Sequence, residues 1–464
     1  MKKIISLLLA AVMLIGMMGI LAGCNQGGNK VAPDFVMPEG GLDTTNEITI
    51  TFYHSMGKNL TAILETAIAD FNKIYPNIFI EHKYIGNYDA VRDQIKTEIS
   101  VGDQPNLAYC YPDHVALYNV AGAVQTLDVL INDPTYGFTA EQIADFVPAY
   151  YNEGKSLGDG KMYTLPISKS TEVLYYNKTF FEANSLTVPT TWEEMEAVCK
   201  QIKTIDSTCI PLGYDSEANW FITMCEQYGS EYTSTDGENF RFDNETNRNF
   251  VKKFQEWYAQ KLVTTGELCG GYTSDLFKGS DKNGTRSYMC IGSTGGATYQ
   301  QPTQTNGVFE FEVGITSIPQ VNPENPKVIS QGPSVCIFKN ADPQEVLASW
   351  LFAKFLTTDI NFQAGFSMSN GYAPVIQSIQ ENEVYANFLS SYSTANIQAY
   401  AVKVAVEQSN AYFVSPAFNG SSDAREQVGL LMQRCIALTG SDLDSAIKKA
   451  FEEAVAECKY QAGQ

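Results

Sequence analysis

One loop of the sequence combines glycine with hydroxyl side chains in a pattern that could bind an anion. Residues 291–297 read Ile-Gly-Ser-Thr-Gly-Gly-Ala and follow the apolar run Tyr288–Ile291. A strand that runs into Gly, Ser and Thr presents backbone N–H groups and hydroxyls without side-chain bulk. The loop therefore predicts a nest for an anion or for sugar hydroxyls, and an ordinary tight turn is the alternative.

The other residues able to do chemistry form no recognisable catalytic or metal-binding pattern. His54, His82 and His114 are scattered along the chain, and no His/Cys set has zinc spacing, so we predict neither a metal nor a cofactor. Each histidine is expected to be a surface or hydrogen-bonded residue. A nucleotide-binding loop and a G-x-S-x-G motif are both absent from the sequence, which argues against an enzyme.

The charge balance excludes whole classes of partner. The chain has 31 Lys+Arg against 52 Asp+Glu, a net charge of −21, which becomes −23 once a leader carrying Lys2 and Lys3 is removed. A nucleic-acid binder needs a basic face, and attachment to anionic lipid by charge needs one as well. The acidic field would also repel an anionic ligand, so composition mildly favours a neutral one.

The N-terminus predicts export and lipid attachment. Lys2 and Lys3 precede an apolar run to Ile20, so we interpret residues 1–23 as a signal peptide, with a transmembrane span as the alternative. The Leu-Ala-Gly-Cys sequence that ends at Cys24 resembles a bacterial lipobox, which implies a lipid on Cys24; an ordinary cleavage site is the alternative. Residues 24–42 are then a flexible tether. We therefore expect the protein at the extracellular face of the cytoplasmic membrane.

Nine cysteines remain once Cys24 is assigned to lipid. An odd number cannot all pair, so at least one thiol must be free. Cys199 and Cys209 could form a bridge, but we expect mostly buried thiols that behave as small apolar residues.

Hydrophobic spacing beyond the tether predicts alternating strands and helices. The alternation of Ile48, Ile50 and Phe52 indicates a strand, and the apolar positions from Leu60 to Ile74 indicate a helix. The other predicted elements are strands at Ile78–Tyr84 and Asn106–Tyr111 and helices at Ala90–Val101, Asp113–Ala121, Glu245–Lys261 and Ser441–Cys458. Such alternation predicts an α/β protein whose sheet is largely parallel and covered by helices on both faces.

A series of short motifs resembles the extracellular solute-binding proteins of bacterial ABC importers. The likeness runs from about residue 46 to the end, and within the sugar-binding branch it is closest to sn-glycerol-3-phosphate-binding proteins. Phe52–Met56 and Gly86-Asn87-Tyr88 carry that finer match. The other matching motifs are Phe71–Pro76, Gly102–Leu107, Leu165–Ile167, Leu174–Lys178, Pro189–Glu194 and Gly371–Pro374.

The resemblance implies a periplasmic-binding-protein-like (type II) fold of two α/β lobes with a hinge between them. Lobe one would contain residues 43–166 and 333–370, and lobe two residues 167–332 and 371–464. A carbohydrate or glycerol-3-phosphate-like solute would bind in the cleft, and the monomeric protein would deliver it to ABC permease subunits in the membrane. A lipid-anchored cell-surface glycosidase and a sugar receptor without a transport role are the alternatives.

The resemblance also implies a set of ligand contacts. Tyr88 would hydrogen-bond the ligand and Trp192 would form an aromatic wall. Ser293, Tyr372 and Arg425 would hold a phosphate. Taken singly, Arg425 could instead be a surface ion pair, and Trp192 could be a core residue at a helix start. The complete implied set is Tyr88, Ser170, Trp192, Ser293, Gly332, Tyr372 and Arg425.

Two departures from the family pattern leave the ligand open. The family places an acidic residue, which binds glycerol hydroxyls, directly after the tyrosine that matches Tyr111. This chain has Pro112 there and Asp113 one residue later, and we include Asp113 among the expected ligand contacts. The family's paired serines are also altered, because Lys169 precedes Ser170 here. The cation of Lys169 could help to hold an anion or could point to solvent.

Overall fold

Two β-sheets organise the chain in the computed structural model, which describes residues 32–464. The predicted signal peptide and Cys24 lie outside the described residues. The strands are β1 Ile48–His54, β2 Ile78–Tyr84, β3 Leu107–Cys110, β4 Leu165–Pro166, β5 Ser170–Asn177, β6 Leu212–Tyr214, β7 Val263–Thr265, β8 Met289–Ser293, β9 Gln304–Thr305, β10 Val308–Phe309, β11 Val313–Ser317, β12 Val328–Gln331, β13 Ser334–Ile337 and β14 Tyr412–Phe413.

Both sheets are mixed, so the prediction of a largely parallel sheet is wrong. The first sheet has the order β2-β1-β3-β13-β4, and the second has the order β14-β12-β5-β8-β6-β7, with β11 pairing with β5. The βαβ units pair in parallel, as in β1 with β2 and β3. The strands next to the crossings between sheets, β4, β5, β12 and β13, make antiparallel pairs instead. The path of the chain between the two sheets sets the directions of these strands. A local sequence pattern does not predict that path.

The helices agree with the predicted positions to within a few residues. The helix Trp192–Ile205 begins with a capping box in which the Thr191 hydroxyl accepts from the Glu194 N–H and the Glu194 side chain accepts from the Thr191 N–H. The helices are α1 Lys58–Ile74, α2 Tyr88–Ile99, α3 Pro112–Asn119, α4 Asp128–Ile131, α5 Ala140–Asp145, α6 Pro148–Asn152, α7 Lys178–Ala183, α8 Trp192–Ile205, α9 Glu217–Tyr228, α10 Glu245–Ala259, α11 Gly266–Cys269, α12 Thr273–Phe277, α13 Pro343–Thr358, α14 Ile360–Asn370, α15 Glu383–Ser390, α16 Ile397–Glu407, α17 Ser421–Ile436 and α18 Leu443–Gln461. Short 3₁₀ helices lie at Glu153–Lys155, Thr294–Gln300, Ser378–Glu381 and Ser409–Ala411.

Each sheet carries its own hydrophobic core, which defines a lobe. The core of lobe one includes Phe35 and Leu42, and the Phe35 N–H donates to Gln125 Oε1 at 3.1 Å. The last part of the segment expected to be a tether is therefore packed against this lobe. Val375 and Tyr385 also belong to the core of lobe one, which differs from the predicted placement of residues 371–464 in lobe two.

The cysteines of the described chain are free, and eight of the nine are buried. The expectation of buried thiols is confirmed, and Cys199 and Cys209 form no bridge. Among residues 32–464, no helix combines the length and the apolar character that crossing a membrane requires.

Candidate functional site

A cavity of about 640 Å³ lies between the two lobes. Lobe one contributes the start of α2, residues 111–114 and Glu153 to its wall, and lobe two contributes residues 216–218, 329–331 and 414–417 and one face of α17. The lobes also touch beside the cavity, where Arg92 Nη1 donates to Ser422 Oγ at 3.3 Å. A solute in this cavity would contact both lobes, which is the condition for ligand-driven closure.

Two tyrosines form an aromatic surface on the lobe-one wall. The ring centroids of Tyr88 and Tyr111 are 4.7 Å apart. The rings of Tyr111 and His114 pack edge to face, with centroids 5.4 Å apart. Local sequence places both tyrosines. Asn87 caps α2 by accepting from the Ala90 N–H at 2.9 Å, so Tyr88 is the first helical residue, and Pro112 at the start of α3 fixes the turn after Tyr111. Burial raises the pKa of the Tyr111 phenol, so it stays a neutral hydrogen-bonding group.

Arg425 is held at the lobe-two wall by a buried polar network. Its Nη2 donates to Asn219 Oδ1, and Asn219 Nδ2 donates to Glu172 Oε1 at 2.9 Å. Tyr214 donates to the other Glu172 oxygen at 2.6 Å. Burial raises the pKa of Glu172 to about 7, against the opposite effect of its hydrogen bonds and of Arg425. Arg425 makes no ion pair within the described chain, so its guanidinium remains available to a ligand.

Several buried polar atoms of residues that line the cavity have no partner within residues 32–464. They include one carboxylate oxygen of Glu217, whose residue is 5% exposed, and the Tyr232 hydroxyl. His114 Nδ1 and the Ser330 hydroxyl are also unpartnered. Because an unpaired buried polar group costs free energy, this set indicates that a polar ligand or water completes the hydrogen bonds.

The charge of the cavity wall is predominantly acidic. Arg92 and Arg425 are the only Lys or Arg residues of the described chain that line it. Arg92 is already paired with Asp89 at 3.0 Å and with Asp93 at 2.8 Å. The carboxylates that line the cavity are Asp89, Asp113, Glu153, Glu217, Glu267 and Glu426.

Three of the eight residues predicted from sequence line this cavity, namely Tyr88, Asp113 and Arg425. Two others are not among its lining residues. Trp192 is 2% exposed in the core of lobe two, where its indole N–H donates to Gln227 Oε1 at 2.8 Å. Ser170 is buried at the start of β5, opposite Gln331. Trp192 is therefore a core residue at a helix start, which was the alternative interpretation.

Of the three residues expected to hold a phosphate, Arg425 lines the cavity, whereas Ser293 and Tyr372 are not among the lining residues. Ser293 caps the 3₁₀ helix of the glycine-rich loop by accepting from the Gly295 N–H at 3.2 Å, and anion binding by this loop stays a prediction. Tyr372 interacts with Tyr88, and a Cβ at Gly295 would come within 2.6 Å of its ring. Gly332, with φ of +110°, packs against the backbone at Lys169.

Lys169 does not line the cavity, and because it is fully buried the expectation that its cation points to solvent is wrong. Its side chain is fully buried and forms an ion pair with Glu153, and its Nζ donates to Gly332 O and to Ser334 Oγ at 3.1 Å each. A buried partner was not detectable in the sequence, because Glu153 lies 16 residues away in a different lobe segment.

Sequence reasoning missed most of the cavity wall. Tyr111, His114 and Glu217 all follow the ends of strands, at β3 and β6, where α/β folds place ligands. That position was a usable signal. His54, in contrast, hydrogen-bonds His82 at 3.1 Å, which confirms the expectation for those two histidines. No group of residues suited to a metal ion occurs among those described.

Comparisons with known proteins agree with this architecture. The sn-glycerol-3-phosphate-binding periplasmic protein UgpB of Salmonella typhimurium is 23% identical over 348 residues, which is 72% of this chain and 75% of that protein. UgpB from Mycobacterium tuberculosis, in complex with glycerophosphocholine, has a TM-score of 0.71 at 16% identity over 89% of this chain and 99% of its own. The cyclic alpha-maltosyl-1,6-maltose binding protein from Arthrobacter globiformis has a TM-score of 0.69 at 17% identity over 89% of this chain and 100% of its own.

These structural likenesses confirm the expected fold class of two α/β lobes, and at such identities they show the fold alone. The family model described as "Bacterial extracellular solute-binding protein" matches residues 66–389. This match covers more than half of the chain, across both lobes. The chain therefore belongs to the family of bacterial extracellular solute-binding proteins.

Proposed function

We propose that the protein captures a neutral carbohydrate between its two lobes and delivers it to the permease of an ABC importer. Residues 43–166 with 333–370 and residues 167–332 with 371–464 would move as the two bodies, except that the segment around Val375 and Tyr385 would move with lobe one. The bound solute favours the closed state because it contacts both walls. No bond is made or broken in this cycle.

The charge of the cavity wall carries the choice of a neutral ligand. Six carboxylates and two arginines line the cavity, but Glu153 pairs with Lys169 and Asp89 with Arg92, which leaves four carboxylates against one arginine. A phosphate would need several donors to override this field, but Ser293, Gly332 and Tyr372 do not line the cavity. The wall instead offers what a sugar needs, which is an aromatic face at Tyr88 and Tyr111 and unpartnered acceptors for hydroxyl groups.

Titration calorimetry with a panel of neutral oligosaccharides that includes maltotriose, together with glycerol-3-phosphate and glycerophosphocholine, tests this proposal. We expect an oligosaccharide to bind with an affinity that does not change with salt, because a neutral ligand has no charge to screen. Arg425→Ala should weaken it by about 1.5–3 kcal/mol through loss of a charged hydrogen bond. Arg434→Ala is the matched control, since Arg434 lies on the same helix and pairs with Glu453 outside the cavity.

Three results would contradict the proposal in whole or in part. One is binding restricted to the phosphate compounds, with an affinity that falls as salt is added, which would favour a glycerol-3-phosphate-like ligand. The other is hydrolysis of the oligosaccharides by the pure protein, which would favour the glycosidase alternative. Binding without any effect of gene deletion on uptake would instead indicate a receptor that has no role in transport.

We also propose that Cys24 carries a lipid that holds the protein at the extracellular face of the membrane. The support is the Leu-Ala-Gly-Cys sequence behind a charged and apolar leader. Cys24→Ala should move the protein from the membrane fraction to the medium and abolish incorporation of labelled fatty acid. Unchanged membrane attachment of the variant would show that another segment holds the protein.

A further inference from the structure

Glu153 both lines the cavity and pairs with a buried cation. It belongs to lobe one, it lines the cavity, and it is 6% exposed. One carboxylate oxygen, Oε2, accepts from Lys169 and from the Ser334 hydroxyl, the latter at 3.1 Å. The other oxygen, Oε1, makes no hydrogen bond with any residue of the described chain. An acceptor held this rigidly by one oxygen has its second oxygen fixed in place for a ligand.

The cation that holds Glu153 lies where chain segments cross between the lobes. Lys169 is in the crossing from β4 to β5. Its Nζ contacts Gly332, in the return crossing from β12 to β13, and Ser334, the first residue of β13. The backbone of Lys169 also exchanges hydrogen bonds with Ala373, at 2.9 and 2.6 Å. Lys169 is therefore bonded to three separate segments, two through its ammonium and one through its backbone, so a change in their relative positions must alter its bonds.

The wall around Glu153 is suited to a sugar. Tyr111, whose ring forms the aromatic surface with Tyr88, lies close enough to Glu153 for the two groups to interact electrostatically. A sugar ring stacked on the tyrosines would lie in the same cavity as the carboxylate. Carboxylates accept hydrogen bonds from hydroxyls with roughly twice the strength of a neutral acceptor.

We propose that Glu153 is a ligand-binding residue whose carboxylate is shared between a hydroxyl of the solute and Lys169, so that solute binding acts directly on the crossings between the lobes. This inference rests on the proposed function, because it takes a polyhydroxylated solute as the ligand. Lys169 is then a positioning residue: it holds Glu153 and never touches the solute.

The test compares Glu153→Gln with Glu453→Gln in titration calorimetry and small-angle scattering. Glu453 is the matched control, because it also pairs with a cation, Arg434, but is 51% exposed and lies outside the cavity. With maltotriose as the probe, Glu153→Gln should weaken binding about ten- to a hundredfold, the equivalent of one charged hydrogen bond. Glu453→Gln should change it by less than about twofold.

Two further variants distinguish a loss of ligand binding from a defect in folding. Glu153→Gln with Lys169→Met removes both charges, so no buried charge is left unpaired, and it should also bind weakly. Ser334→Ala removes one hydrogen bond to Glu153 without touching the cavity. It should reduce the ligand-induced fall in the radius of gyration, an effect that a purely structural role for the pair would not produce.

The outcomes separate the two proposals. Wild-type affinity for maltotriose in both Glu153 variants overturns the role of Glu153 and leaves the carbohydrate function intact. Binding of glycerophosphocholine in place of maltotriose overturns the carbohydrate function, and the same variants measured with glycerophosphocholine then test Glu153. A wild-type protein that binds neither compound contradicts both proposals.

Discussion

Lys169→Met should lower the free energy of unfolding by about 3–5 kcal/mol, the range for removing one partner of a buried ion pair. The Glu153 carboxylate would remain buried without its cation. The Gly332 carbonyl and the Ser334 hydroxyl, each 3.1 Å from the ammonium, would lose a donor. Urea denaturation of the mature protein, followed by circular dichroism, measures the change.

A surface pair provides the matched control for this prediction. Lys200 and Glu196 are 2.7 Å apart on α8, and the lysine side chain is 53% exposed. Lys200→Met should cost less than about 1 kcal/mol, because solvent screens an exposed pair. The double variant Lys169→Met with Glu153→Gln should recover part of the loss. Equal costs for Lys169→Met and Lys200→Met would show that the buried pair contributes no more than a surface one.

Glu172→Gln should become progressively more stable than wild type as the pH rises from about 4.5 to about 7. The Glu172 carboxyl has an ordinary pKa of 4.5, and burial raises its pKa in the folded protein to about 7. The folded state therefore binds the proton more tightly than the unfolded state. Its stabilising effect is fully present below pH 4.5 and is lost as the pH rises through 7. The shift corresponds to about 3 kcal/mol.

The measurement is the difference in unfolding free energy between the two proteins at pH 5 and pH 8. Both proteins contain His54, so its contribution cancels in the difference. Burial lowers the pKa of His54 to about 4, and its contribution to stability therefore increases as the pH rises. The groups that face Glu172 are Tyr214, Asp215 and Arg425. Glu267→Gln, at an exposed carboxylate of the same cavity, is the control and should show no such trend. A constant difference for Glu172→Gln would mean that Glu172 remains ionised throughout.

Local elements of this protein were predictable because their signals lie within a few residues. The apolar spacing of α1 and the capping box at Thr191 each involve neighbours three or four positions apart, and both are present in the structure. The motif order also predicted the two-lobed fold, which the structural likenesses confirm. Tyr88, Asp113 and Arg425 line the cavity, although their contact with a ligand stays a prediction.

Other features depended on contacts between distant parts of the chain. Trp192 begins an amphipathic helix whether its ring enters a cleft or a core, and packing against Trp220 and Phe254 decided for the core. The sheet directions followed from the crossings between lobes. A local pattern carries no information about either, because the partner residues lie tens of positions away.

Composition by itself determined that the chain is acidic, and the resemblance of its local motifs to a known family was enough to predict two α/β lobes that bind a solute. Only the tertiary structure decided which residues form the cavity and what Lys169 does. Lys169, Glu153 and Ser334 lie far apart in sequence, and the low dielectric of the site they share makes their pairing obligatory once the chain brings them together.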